Sequence, residues 1–211
     1  MKIKFYGTRG SFPTASSEAR GIYTLKYGGN TTCLYLTTNN SENFIIDAGT
    51  GSRLLGMDLL KTPQNGKTPK ILFTHEHQDH VEGIPSFAPF YNPDNEFHVY
   101  AKENPRRIEE LLRERQRVEF FPVAYSIPGV DGVPCMTAGK MHHDIEKGIL
   151  TETVEVSYCA TNHPDGCVAY KFRERNNIFI FGGDHEFDLK PEVDDKLAQF
   201  YEGSKIIALD T

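Results

Sequence analysis

The chain has 211 residues, 38% of them hydrophobic and 11% aromatic, which supplies a substantial core and excludes a disordered chain. The formal net charge of −6 disfavours broad electrostatic binding to nucleic acid, so nucleic acid is not the expected partner. No apolar run reaches the length of a membrane span and the N-terminus carries no signal-peptide pattern; the sequence reads as soluble and cytoplasmic.

Met1 to Phe5 alternates apolar and basic residues, predicting a half-buried strand over Lys2–Tyr6. Further strands are expected at Thr32–Thr37, Asn43–Asp47, Lys70–Thr74, Phe97–Ala101, Val154–Cys159, Cys167–Phe172, Asn177–Phe181 and Lys205–Asp210. Turn signals at Asn39-Asn40, Asn65-Gly66 and Arg173–Asn176 separate several of them. One helix is expected from about Ser52 to Leu60, after Gly49-Thr50-Gly51. A second takes Asn104 as its N-cap and Pro105 as its first residue, with Ile108, Leu111 and Leu112 on one face. Its basic residues, between Arg106 and Arg117, are interleaved with Glu109, Glu110 and Glu114, as on a solvated face. A third, Pro191–Tyr201, places Val193, Leu197, Ala198 and Tyr201 on one side. Paired strands followed by helices give an α/β sandwich of mixed sheets. Residues 120–148, with several prolines and glycines, read as a long loop over the site.

Cys33, Cys135, Cys159 and Cys167 form no CxxC pair, which argues against a zinc ribbon or a dithiol redox site and leaves four free thiols. The strongest chemical signal lies elsewhere. The short apolar strand Ile71-Leu72-Phe73 runs directly into Thr74-His75-Glu76-His77-Gln78-Asp79-His80. Three of the chain's eight histidines therefore fall within six residues, beside an aspartate. Alternate positions 75 and 77 can aim two imidazoles at one ion, while Asp79 and His80 turn toward a second. Imidazole and carboxylate donors suit zinc, manganese or iron, and the absence of cysteine fits a catalytic site better than a closed structural one.

The HxHxDH run resembles the signature of the metallo-β-lactamase superfamily. Other segments are similar to a bacterial subgroup described as cyclic-nucleotide-phosphodiesterase-like and related to ribonuclease Z. They are Gly7-Thr8-Arg9-Gly10-Ser11 with Pro13, Tyr27–Cys33, Asp47-Ala48-Gly49-Thr50-Gly51, Asn162-His163-Pro164 with Gly166-Cys167, and Gly183-Asp184-His185-Glu186. The resemblance implies a single αββα domain over 1–211 that binds two divalent ions, zinc foremost. It implies that His75, His77 and His163 bind the first ion, that Asp79 and His80 bind the second, and that Asp184 bridges them. Asp79 would also orient the nucleophile.

Three residues are candidates around that set. Asp47 either braces the His75–His80 loop by accepting its N–H bonds or merely caps the helix that follows. His185 is expected either to contact the ligands or the substrate, rather than ligate, or to face solvent. Arg9, with the amides of Gly7–Ser11, could meet a phosphate, although a plain tight turn weighs more. His142 and His143 read as surface histidines and His98 as structural.

The expected reaction is metal-assisted hydrolysis of a small phosphodiester. Thioester or lactone hydrolysis, iron oxygen chemistry and a non-catalytic subunit are the alternatives. The family pattern stops at Leu209-Asp210-Thr211, short of the strand, helix and late histidine that relatives carry. An incomplete C-terminal half is therefore expected, with a second metal site that is partly filled, coordinated by water or completed by another polypeptide. An uncovered part of the second sheet that invites another copy or a missing C-terminal polypeptide is also expected.

Overall fold

The computed structural model describes residues 1–20, 22–61, 68–102, 105–126 and 134–209. A six-stranded sheet runs in sequence order through β1 (Lys2–Gly7), β2 (Cys33–Thr37), β3 (Asn43–Ile46), β4 (Lys70–Leu72), β5 (Glu96–Ala101) and β6 (Gly139–Asp144). Its first three strands are antiparallel and β3 to β6 are parallel. The second sheet orders β11 (Ile206–Ala208), β10 (Asn177–Phe181), β9 (Cys167–Glu174), β8 (Glu155–Thr161) and β7 (Ile149–Leu150). The helices are α1 (Ile22–Tyr27), α2 (Gly51–Lys61), α3 (Gln78–Val81), α4 (Pro105–Arg115) and α5 (Pro191–Tyr201).

The alternation of strand side chains sorts the core into two layers. Ile45, Ile71 and Phe73 face one way and pack with Leu55 and Leu59 of α2 and Ile108 and Leu112 of α4. Phe44, Ile46 and Leu72 face the other way and meet Val156, Val168, Tyr170 and Phe172 of the second sheet. Both faces of β3 and β4 are thus buried, which is why each strand is apolar after its first residue. Helix α5 packs on β8 through the buried Leu197, giving the αββα order of layers. No helix among the described residues is long and apolar enough to cross a membrane.

The sheets are also joined by polar contacts. The Tyr170 hydroxyl donates to the Phe73 carbonyl at 2.6 Å, and the Val168 N–H donates to the Thr74 carbonyl at 3.2 Å. These two bonds fix the end of β4, where the histidine-rich segment begins. On a distant edge, the buried Glu174 accepts from the N-terminal ammonium at 3.0 Å and from the Asn39 backbone N–H at 2.7 Å.

Several expectations change. The 120–148 segment is not one loop: β6 occupies Gly139–Asp144 and pairs with β5, and Ala124 bridges to Cys135. The His142 ring accepts a place beside the buried Tyr125 hydroxyl at 3.2 Å, with Glu109 Oε2 3.6 Å from its other nitrogen, so it is not a surface histidine. His98 Nδ1 and His143 Nε2 lie 2.9 Å apart in near-parallel rings, which pairs two residues of adjacent strands. The predicted cap Asn104 lies outside the described residues, as do Asp210 and Thr211. β11 forms one edge of the second sheet, with Ile206 and Ile207 exposed.

Candidate metal centre

The histidine-rich segment leaves β4, runs extended through His77 and turns into the single-turn helix α3, which starts at Gln78. The extended stretch sends His75 and His77 to one side, and the helical turn then swings Asp79 and His80 toward the same space. The β8–β9 turn brings in His163, and the segment after β10 brings in Asp184. Ligand atoms of His75, His77, His163 and Asp184 all lie within 4.8 Å of one another. His163 Nε2 is 3.0 Å from His77 Nδ1. Asp184 Oδ2 stands 3.7 Å from His75 Nε2 and 3.5 Å from His163 Nε2. Its other oxygen, Oδ1, is 3.4 Å from His80 Nε2, and Asp79 Oδ2 is also 3.4 Å from that nitrogen. Asp184 therefore stands between two groups of donors, one on each carboxylate oxygen.

The donor set fits a divalent ion. His75 Nε2 is buried and has no hydrogen-bond partner among the described residues. A buried polar atom left without a partner is costly, and this one is aimed into a cluster of imidazole and carboxylate donors. The far nitrogens of two rings are engaged elsewhere. Asp47 Oδ2 accepts from His80 Nδ1 at 2.8 Å, and Thr74 Oγ1 lies 3.1 Å from His75 Nδ1. With an ion bound, such bonds would keep the proton on Nδ1 and leave Nε2 free to ligate.

Asp47 contacts the histidine-rich segment directly. It is fully buried, adopts a left-handed φ of 58°, and accepts from the Thr74 N–H at 2.8 Å and the Thr74 hydroxyl at 2.9 Å. The next residues continue the support, with the Ala48 N–H donating to the His80 carbonyl at 2.7 Å. Glycine is required at position 49, where a Cβ would lie 2.1 Å from the Asp79 carbonyl oxygen.

Electrostatics reflect this crowding. Burial pushes Asp47 up, and the His80 imidazole and Thr74 only partly offset it. Burial alone would depress His80, but the carboxylates of Asp47, Asp184 and Asp79 outweigh it and push its pKa well up. Burial also raises Asp79, yet bonds to His80 and the Ser11 N–H hold it well below the ordinary carboxylate range. His75 is pushed down to about 3 by burial and by His80. The cluster thus gathers three carboxylates around one imidazole, an environment that favours positive charge.

The Gly7–Ser11 turn reaches the centre differently from the sequence expectation. Its Thr8 and Arg9 amides donate to the Asn30 carbonyl, and the Ser11 amide donates to Asp79, so these N–H groups are used within the chain. The Arg9 side chain is exposed. His185 turns away from the cluster: its Nδ1 accepts from the Asn162 N–H at 3.1 Å and its Nε2 is 2.9 Å from Asp194 Oδ1. It ties the His163 turn to α5. Thr74, Ser11, Asn162 and Asp194 were missed by sequence reasoning, because backbone donors and small polar side chains carry no spacing signature. Beside the cluster opens a cleft lined by His75, Glu76, Lys102, Arg107 and Asp165.

Residues 42–211 match the family described as the beta-lactamase superfamily domain. Ribonuclease BN of Cronobacter sakazakii is 25% identical over 179 residues, 83% of this chain and 50% of that protein. The chain spans about half the length of the curated relatives it matches. Unliganded yeast PDE1 superposes with a TM-score of 0.63 at 13% identity, covering 98% of this chain and 74% of that one. The short form of human tRNase Z gives 0.55 at 17% identity, covering 100% and 92%. These two likenesses show the fold. With the family matched over most of its length, and with the sheet order and histidine cluster in place, the chain belongs to the beta-lactamase superfamily domain family.

Proposed function

We propose that this chain is a metal-dependent hydrolase of phosphodiesters. The observation that carries the reading is the convergence of His75, His77, His163 and Asp184, with the buried His75 Nε2 unpartnered and aimed into it. These four residues would hold one divalent ion, and Asp79, His80 and the second oxygen of Asp184 would hold another. Zinc suits the donors best, and manganese or iron also fit them. Bound there, divalent ions supply Lewis acidity toward a phosphoryl oxygen and lower the pKa of water to about 7.

The chain's own residues do the positioning. Asp79 would orient the attacking water, with its Oδ2 steadied by the Ser11 N–H. Asp47 and Thr74 fix the His80 and His75 rings so that no reorganisation is needed as charge develops. The phosphodiester preference is supported by the ribonucleases among the relatives of this chain. Those relatives also keep nucleic acid among the substrate classes, against the expectation drawn from the acidic net charge.

A panel of chromogenic phosphodiester, thioester and lactone substrates tests the reading. Wild-type protein should hydrolyse the phosphodiester, and His77→Ala should abolish this without changing the circular dichroism or Tm. Turnover of the thioester or lactone alone would overturn it.

A further inference from the structure

Glu76 lies between His75 and His77 but on the other side of the extended segment, as alternation requires. There it meets α4. Arg107 Nη2 is 3.4 Å from Glu76 Oε2, and Arg115 Nη2 donates to the Glu76 backbone carbonyl at 3.5 Å. Arg107 and Arg115 stand about two turns apart on α4, roughly 80° around its axis, and both reach Glu76. The helix is rooted in the core through Ile108 and Leu112, which are 0% and 2% exposed. A firmly seated helix therefore reaches the side chain and the backbone of the one residue that separates two candidate ligands.

We propose that Arg107 and Arg115 are positioning residues for the metal centre. By holding Glu76 from behind, they fix the peptide between His75 and His77 and keep both imidazoles aimed at the same point. The inference rests on the metal-centre reading above. His77 needs such help: its ring is met by His163, a fellow candidate ligand, whereas His75 and His80 are each braced by Thr74 or Asp47. Partly exposed ion pairs of this kind add little to global stability. Their effect here is local, on the aim of the ligands.

The test compares wild type, the Arg107→Ala/Arg115→Ala double variant, Arg115→Lys and Arg113→Ala. Arg113 is a control on α4, because it pairs with Glu109 and not with the metal loop. Zinc affinity is read by competition with a chromogenic chelator, and ligand geometry by the visible spectrum of the cobalt(II) form. The double variant should bind zinc about 10-fold more weakly and show an altered cobalt spectrum, with the Tm of the metal-free chain unchanged. Arg115→Lys should recover part of the affinity, and Arg113→Ala should match wild type. A double variant within twofold of wild type, with the same cobalt spectrum, would overturn this inference alone. An equal loss in Arg113→Ala would also overturn it, since that would reflect general loosening of α4. A wild type that binds no divalent ion would overturn it together with the proposed function.

Discussion

The backbone N–H of Ser11 donates a 2.8 Å hydrogen bond to Asp79 Oδ2. It joins a turn that precedes the family-matched segment, residues 42–211, to the metal loop itself. Ser11 adopts a left-handed φ of 58°, so the bond depends on a backbone conformation that few residues take readily. Ser11→Gly keeps the N–H and accepts that φ, and should match wild type in phosphodiester turnover. Ser11→Pro removes the N–H and imposes a φ of about −65°. It should lower kcat/KM about 10-fold, close to the 1.4 kcal/mol expected for one such hydrogen bond. Equal activity in the two variants would show that the contact does not matter.

Asp47 governs the tautomer of His80. Its carboxylate accepts from His80 Nδ1 and from both donors of Thr74, all within the buried interior. Asp47→Asn places an amide opposite His80 and favours the proton on Nε2, where a metal lone pair is needed. Metal affinity should fall by about 10- to 100-fold. Asp47→Ala also leaves His80 and Thr74 without their acceptor and should destabilise the fold by about 3–5 kcal/mol. Chelator competition and urea unfolding would check the two effects separately.

Lys140 gives a pH dependence away from the metal centre. Its Nζ donates to the Met136 and Ala138 carbonyls at 3.1 and 2.9 Å and lies over the Phe90 and Tyr125 rings. Burial pushes its pKa down from 10.5 to about 8. Between those values the unfolded chain holds a proton that the folded chain has released, so this group makes stability rise with pH. Below pH 8 both states are protonated and the contribution is flat. Lys140→Met should remove the rise: the Tm of the variant minus that of wild type should fall steadily from pH 8 to 9.5. A constant difference across that range would contradict the assignment.

The candidate centre was legible where its residues are contiguous. Strand Ile71–Phe73 followed by the 75–80 cluster carries its own periodicity and chemistry, and β4 delivers it as the pattern requires. His163 and Asp184 come from distant strand ends and were reachable only through the family resemblance. Asp47 stood open between brace and cap; its burial and its bonds to Thr74 and His80 could not be read from the spacing. β6 was missed because its sequence, Gly-Lys-Met-His-His-Asp, is polar and lies at a sheet edge, where one side of the pairing is absent. The Ser11 contact was hidden for another reason: any residue but proline supplies a backbone N–H.

The measurement that bears most directly on the central claim is a metal titration followed by turnover. Purified chain is freed of metal with a chelator, its metal content is verified, and divalent zinc or manganese is added back in steps. The account predicts that hydrolysis of a chromogenic phosphodiester disappears with the metal and returns in proportion to the ion bound. In His77→Ala, neither binding at that site nor activity should return. Phosphodiester turnover that survives verified metal removal, or a fully metal-loaded chain that hydrolyses no phosphodiester, would contradict it.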